Sequence, residues 1–215
     1  MKKLFKKIKL ILPKMTKYFF DFLVVFVGVF LAFWLNARKE EQNKANEQVQ
    51  IYRAIYEDMD AFHLSGQEEF DDGFINLFQN YKKELDSLIP LKKLPANMRF
   101  YGDYWHLEII NSLVESGRLS DMDPKVFKGV ASFHSSHLMF LEEIEGFNKQ
   151  YEKYITANYE QGVDYFYKQD SNELKEKVKL PFKRLDRIIS LSKMLVDGAE
   201  NAKNELNNEF GFKEN

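Results

Sequence analysis

Residues 22–35 read FLVVFVGVFLAFWL, and no charge interrupts them. With Tyr18, Phe19 and Phe20 the apolar run reaches back to residue 18, broken only by Asp21. At a helical rise of about 1.5 Å per residue, residues 18–35 extend about 27 Å, close to the hydrocarbon thickness of a bilayer. Tyr18 and Trp34 stand near the two ends, where amphipathic rings favour the membrane interface. The residues that follow, FWLNARKEE, offer no small-x-small site for a signal peptidase, so the segment reads as an uncleaved signal-anchor.

Charge decides the orientation this anchor should take. Lys2, Lys3, Lys6, Lys7, Lys9, Lys14 and Lys17 give the first 17 residues seven positive charges and no acid. The segment after the span mixes Arg38 and Lys39 with Glu40 and Glu41. The positive-inside rule then predicts a cytoplasmic N-terminus and a C-terminal domain in the periplasm, with the chain held once in the cell inner membrane. The interleaved lysines and apolar residues of KKLFKKIKLIL suit a short amphipathic helix on anionic headgroups, ending at Pro13. Membrane lipid is thus the first expected partner.

The net charge of the whole chain is only -2, from 31 basic and 33 acidic residues. Setting aside the seven lysines and Asp21 leaves the rest with a surplus of about eight acids, which repels nucleic acid. Cysteine is absent, so disulfides, thiolate metal sites and cysteine nucleophiles are excluded together. With 5 Pro, 10 Gly and 45% hydrophobic residues in 215, the composition favours one helical domain. The 20 Phe and 11 Tyr predict an aromatic core.

Beyond the span, residues 36–48 read NARKEEQNKANEQ, polar on every face and free of Gly and Pro. They predict a solvated helical stalk of about 20 Å. Apolar residues return at Tyr52, Ile55, Met59 and Phe62, three and four apart, and this helix should end near Ser65 and Gly66. A second stripe runs Phe70, Phe74, Leu77, Phe78, Tyr81, Leu85 and Leu88, stopping before Pro90. Asp103 is a candidate cap for a third helix burying Ile109, Ile110, Leu113 and Val114, which Gly117 ends in the left-handed conformation. Asp123-Pro124 marks a fourth start. That helix carries Phe127, Val130, Phe133, Phe140, Ile144, Phe147 and Tyr151, with Gly146 and Gly162 as weak points. A turn near Asp170 to Asn172 leads to Pro181 and a last helix with Leu185, Ile188, Leu195, Ala199 and Leu206. Helices with one apolar stripe each must bury it against one another. The expected fold is all-α: a basic tail over 1–17, a transmembrane helix over 18–35, a stalk over 36–48 and an antiparallel helical bundle over 49–215.

Few residues carry chemistry. Asp21 is the one ionisable group inside the apolar run, four residues after Lys17 on the same face, where the two can pair at the headgroup boundary. A proton-carrying role would make the chain a stator-like, ion-coupled subunit. His134 and His137 have a spacing able to ligate a metal, yet neither follows a Glu by three, as dimetal bundles require. Glu57, Asp58, Asp60, Glu68, Glu69, Asp71 and Asp72 lack the spacing of a calcium loop and read as a solvated surface. Phe100, Tyr101, Tyr104 and Trp105 crowd the connector before the third helix; they are a candidate partner surface, weighed against packing over the bundle end. No phosphate loop, nucleophile elbow or zinc-protease motif is present, and with 4 His and no Cys no cofactor or enzymatic role is expected.

Asp21, Gly28, Ala32 and Asn36 fall at intervals of seven, four and four and precede the charged run RKEEQNK. Farther on, Glu115-Ser116-Gly117-Arg118-Leu119 closes one helix with a Ser-Gly-basic-Leu turn. In both features the chain resembles a family of uncharacterised single-pass bacterial membrane proteins, domain of unknown function 6090. It departs from that pattern in having Asp21 where Glu is commoner, and in its Trp34 and Arg38. The resemblance implies location and architecture, with the anchor features Lys17, Asp21, Gly28, Ala32, Trp34 and Asn36, and no reaction. The function expected is that of a membrane-anchored envelope protein whose helical domain meets a protein partner or a second copy. A small-molecule sensor module is the alternative, beside the stator-like reading of Asp21.

Overall fold

The computed structural model describes the backbone of residues 2–67, 73–101, 105 and 107–212, and within these the side chains of residue 19 and of residues from 21 on, except 121. Five α-helices account for most of it: α1 (Lys2–Gly66), α2 (Phe74–Leu88), α3 (Glu108–Glu115), α4 (Pro124–Tyr154) and α5 (Glu176–Phe210). No strand occurs among the described residues beyond an isolated antiparallel bridge between Tyr167 and Leu174. The fold is all-α. Two compact units divide the chain, Met1–Gln50 and Ile51–Asn215.

The first unit is a single helix, the N-terminal part of α1. It runs through Pro13, where a break was expected.

The second unit is built on three stripes with one spacing. In the last part of α1, Tyr52, Ile55, Met59 and Phe62 are buried at alternating steps of three and four. In α4 the buried set is Val130, Phe133, His137, Phe140, Ile144, Phe147 and Tyr151, and in α5 it includes Val178, Pro181, Leu185, Ile188, Ser192, Leu195 and Ala199. This 3-4 alternation is the period of coiled-coil seams. Glu143 of α4 pairs with Arg184 of α5, and Phe133 lies beside Gly198, so α4 and α5 run antiparallel. Tyr52 meets Phe210 and Asp60 pairs with Lys203 at 2.8 Å, so α1 is antiparallel to α5 as well. Lys82 of α2 pairs with Asp186 at 3.0 Å, beside the earlier half of α5. The last part of α1 and α2 therefore run in the same direction, one after the other, along a single α5. The bundle is three columns thick, and the third column is made of two helices.

Their junction is Gly66. A Cβ at this position would lie inside the side chains of Val196 and Phe74. Phe74 in turn stacks edge-on against Phe62 at 5.3 Å and continues to Phe78, Trp105 and Phe140. The aromatic core predicted from composition thus passes through the junction.

Several local features follow the sequence closely. Asp123 caps α4 by accepting from the Lys125 N–H at 2.8 Å, with Pro124 in the first turn. Gly117 takes φ of 72° after α3. Others differ. Gly146 leaves α4 unbroken, and the space above it holds the Arg184 guanidinium. The last helix begins at Glu176, so Pro181 lies inside it with its ring buried. Val114 faces outward and is 36% exposed.

The cap of α3 is a long-range one. Asp103 lies outside the described residues, and Leu107 at the N-cap position gives no side-chain bond. Instead the Asp58 carboxylate of α1 accepts from the Ile110 N–H at 3.0 Å. Asp58 is therefore no part of a solvated acidic surface. Burial pushes its carboxyl up, and the N–H groups of Ile110, Ile109 and Glu108 only partly oppose this.

Two sets of variants test this architecture by denaturant unfolding of the full chain in detergent micelles. Gly66→Ala should destabilise by about 1–3 kcal/mol through overpacking. Gly129→Ala in α4, where a Cβ meets nothing within 4 Å, should stabilise by about 0.5–1 kcal/mol. Asp58→Ala should cost about 1 kcal/mol as a lost cap. A carboxyl raised in the folded state adds stability that is complete below its unfolded value of about 3.9 and is lost as pH rises through the raised folded value. Asp58→Asn keeps an acceptor and cannot ionise, so it should flatten that decline; an unchanged slope would contradict the assignment.

Candidate functional site

The first candidate is the apolar part of α1. Phe22, Val24, Val25, Phe26, Phe30 and Phe33 are all between 59% and 72% exposed. Within Asp21–Gly66 an 18-residue window reaches a mean hydropathy of 1.7, and none of it is buried. This is one helix long and apolar enough to cross a membrane, near the N-terminus. Water-soluble monomers rarely expose a contiguous apolar surface above a few hundred Å². Around the helix, Gly28 has nothing within 4 Å of a would-be Cβ. Asp21, Ala32 and Asn36 are exposed. Trp34 carries Arg38 over its ring at 4.9 Å, a cation–π pair at the polar end of the apolar run. Lys44 pairs with Glu40 at 3.0 Å one turn apart in the polar stretch that follows. The side chain of Lys17 lies outside the described residues.

The second candidate was the aromatic connector, and for two of its four residues the structure shows packing over the bundle and not a partner surface. Phe100 and Trp105 are buried. The Phe100 ring sits 4.6 Å from Phe147 and 4.9 Å from Phe78. Its backbone is clamped by the Asn148 amide, which accepts from the Phe100 N–H at 2.9 Å and donates to its carbonyl at 3.0 Å. Trp105 lies 5.6 Å from Phe78, and its carbonyl accepts from His137 Nε2. A side chain enclosed this way cannot meet a partner without unfolding the bundle. Tyr101 remains a surface residue, 67% exposed under the Arg99 guanidinium, and Tyr104 lies outside the described residues.

The histidines resolve in the same structural direction. His134 bonds Asn111 at 3.0 Å while His137 is fully buried against Trp105, so the two rings serve different partners. His63 lies against the Val196 carbonyl at 3.3 Å. Among the described residues no three His, Asp or Glu side chains are grouped to hold a metal ion. Glu143, between α4 and α5, takes both Arg184 at 2.8 Å and Arg187 at 3.0 Å. Its partial burial opposes ionisation, but the Arg187 hydrogen bond and the two guanidinium charges outweigh it and hold the carboxyl below the usual range.

What the sequence reading missed is an exposed apolar set on the bundle. Leu138 and Met139 of α4 and Met194 of α5 are each at least 50% exposed. The register set by Phe133 with Gly198 and Glu143 with Arg184 puts them at neighbouring heights on adjacent helices. The signal was present: Leu138 and Met139 fall beside, not on, the 3-4 stripe that holds His137 and Phe140.

Comparison with protein-family models, with curated proteins and with solved structures finds no match to this chain.

Truncation variants distinguish core from surface in the connector. Phe100→Ala should cost about 3–5 kcal/mol in unfolding free energy, and Tyr101→Ala about 0.5 kcal/mol or less. Similar costs at both positions would mean that Phe100 is not enclosed.

Proposed function

We propose that the chain is a non-enzymatic, single-pass protein of the cell inner membrane, with its N-terminus cytoplasmic and its helical domain periplasmic, and that the domain works by binding another protein. The observation that carries the membrane part is the unburied apolar stretch of α1 from Phe22 to Leu35. The seven N-terminal lysines support the orientation. The partner part is supported by Leu138, Met139 and Met194, because unbranched, polarisable methionines and apolar neighbours are favoured at contact surfaces. The buried Phe100 and Trp105 are not part of this surface.

The absence of cysteine gives a direct test. A single Met139→Cys or Met194→Cys substitution, labelled with a reagent carrying a maleimide at one end and a photoreactive diazirine at the other and then irradiated in native membranes, should give one discrete adduct. An adduct of twice the mass of the chain identifies a second copy, and another mass identifies a different partner. A ladder without a discrete product, or none at either position, overturns the partner reading. The anchor is tested separately. Phe26→Arg with Val29→Arg should release the protein from membranes under alkaline extraction, each charge costing about 2.5–3.5 kcal/mol at the centre of a span. Retention of that double variant overturns the anchor.

A further inference from the structure

The end of α4, the turns over 156–165 and the start of α5 border a cavity of about 410 Å³ that is open to solvent on one side. This exceeds the crevice of about 40 Å³ beside Gly129 and the one of about 150 Å³ beside Tyr101, and it falls within the range of about 300–1,000 Å³ typical of small-molecule sites. Its walls are Tyr154, Asn158, Tyr165 and the run Lys175, Glu176, Lys177 and Val178.

The chemistry of these groups is specific in sign. Lys175 lies over the Tyr165 ring at 5.1 Å and donates to the Tyr165 carbonyl, which fixes its ammonium and leaves further N–H donors. Lys177 is exposed and forms no ion pair among the described residues. Lys153, beside the rim, lies over the Tyr154 ring at 5.2 Å. The acid among the lining residues, Glu176, is taken by Lys179 at 3.0 Å and Lys183 at 3.9 Å. Among the lining residues two lysines stand against this one glutamate, a surplus of one positive charge, although the sequence beyond the apolar run is acidic in sum.

Shape adds a second requirement. Val178 is buried and gives an apolar floor, and Tyr165 is 45% exposed. Two phenol rings beside lysine heads suit a ring-bearing ligand with an apolar face and a negative edge. The Asn158 amide uses one N–H on the Lys153 carbonyl at 3.0 Å, leaving a donor and an acceptor for a polar substituent. The wall is braced by the Lys175 N–H on the Phe166 carbonyl at 2.9 Å, so Tyr165 and Lys175 are held in register with no ligand present.

We propose that this cavity binds a small carboxylate carried on a six-membered ring with an apolar face, either an aromatic acid or a sugar acid. The site is separate from the α4–α5 surface and does not depend on the partner reading.

The test uses the full chain in nanodiscs of zwitterionic lipid, titrated with sodium benzoate and with sodium glucuronate and followed by saturation-transfer NMR. Benzyl alcohol and glucose serve as uncharged counterparts, and inorganic phosphate as an anion without a ring. Saturable binding of at least one acid is expected, with both uncharged counterparts weaker. Benzoate alone assigns the aromatic source, glucuronate alone the sugar source, and both the shared chemistry. Lys177→Gln, at an exposed position, should weaken binding about tenfold with an unchanged unfolding midpoint. Tyr165→Leu should weaken it while leaving the response to phosphate unaltered. No saturable binding of either acid up to about 10 mM, indifference to Lys177→Gln, or phosphate binding as tight as the acids would each overturn the proposal.

Discussion

Gly66 carries no side chain because Phe74 and Val196 already fill the place one would need. That close approach lets the end of α1 and the start of α2 share one long partner, α5. A single α5 of 35 residues then faces α1 over its later turns and α2 over its earlier ones. Without the approach, Phe74 would move away from Phe62, and the chain of ring contacts through Phe78, Trp105 and Phe140 would lose its first link. The core is one contiguous body because two helices are allowed to meet end to end within van der Waals distance.

The connectors are then fastened to that body by polar groups from far away in sequence. Tyrosine hydroxyls do much of this: Tyr151 donates to the Pro95 carbonyl at 2.8 Å, Tyr159 to Leu94 at 2.9 Å and Tyr167 to Ile89 at 3.1 Å. Tyr151 and Tyr167 bury their rings in the core, Tyr159 is 44% exposed, and each spends its hydroxyl on a backbone carbonyl of the segment after α2. Burial pushes the Tyr151 phenol well above its ordinary value, so it remains a donor at any physiological pH. Tyr52 works in the opposite sense, its oxygen accepting from the Asp123 N–H at 2.9 Å just ahead of α4. The abundance of tyrosine thus has a structural use beyond apolar area.

Periodicity made the helices legible because it is a local property. The stripes on α1, α4 and α5, the cap at Asp123 and the left-handed Gly117 all follow from residues within one or two turns of each other. The misreadings share the opposite cause. Asp58 looked like a surface acid because its partner, the first turn of α3, lies 52 residues away. Phe100 and Trp105 left both a patch and packing open because their enclosure comes from Phe78, Phe140 and Phe147 on other helices. Pro181 looked like a start because proline usually is one, and only its buried ring on the α5 seam shows why it is tolerated inside. The apolar run from Phe22 was readable from composition alone, since a stretch with no polar face needs no partner to declare itself.

Where function can reside follows from which polar groups the fold has already used. His63, His134 and His137 are each engaged with a specific backbone or side-chain partner, and Glu143 and Asp60 are held by Arg and Lys from α5. Releasing His63 or His137 for chemistry would leave a buried group unsatisfied, at a cost of about 1–3 kcal/mol each, and freeing His134, Glu143 or Asp60 would break a half-buried contact between helices. A bundle of this size has only a small multiple of that in hand. The groups free to act are therefore those on its surface, among them the half-exposed methionines of α4 and α5 and the lysines around the cavity at the start of α5. Both can engage a partner or a ligand without disturbing a core contact, because neither contributes a side chain to the 3-4 seams that hold the bundle together.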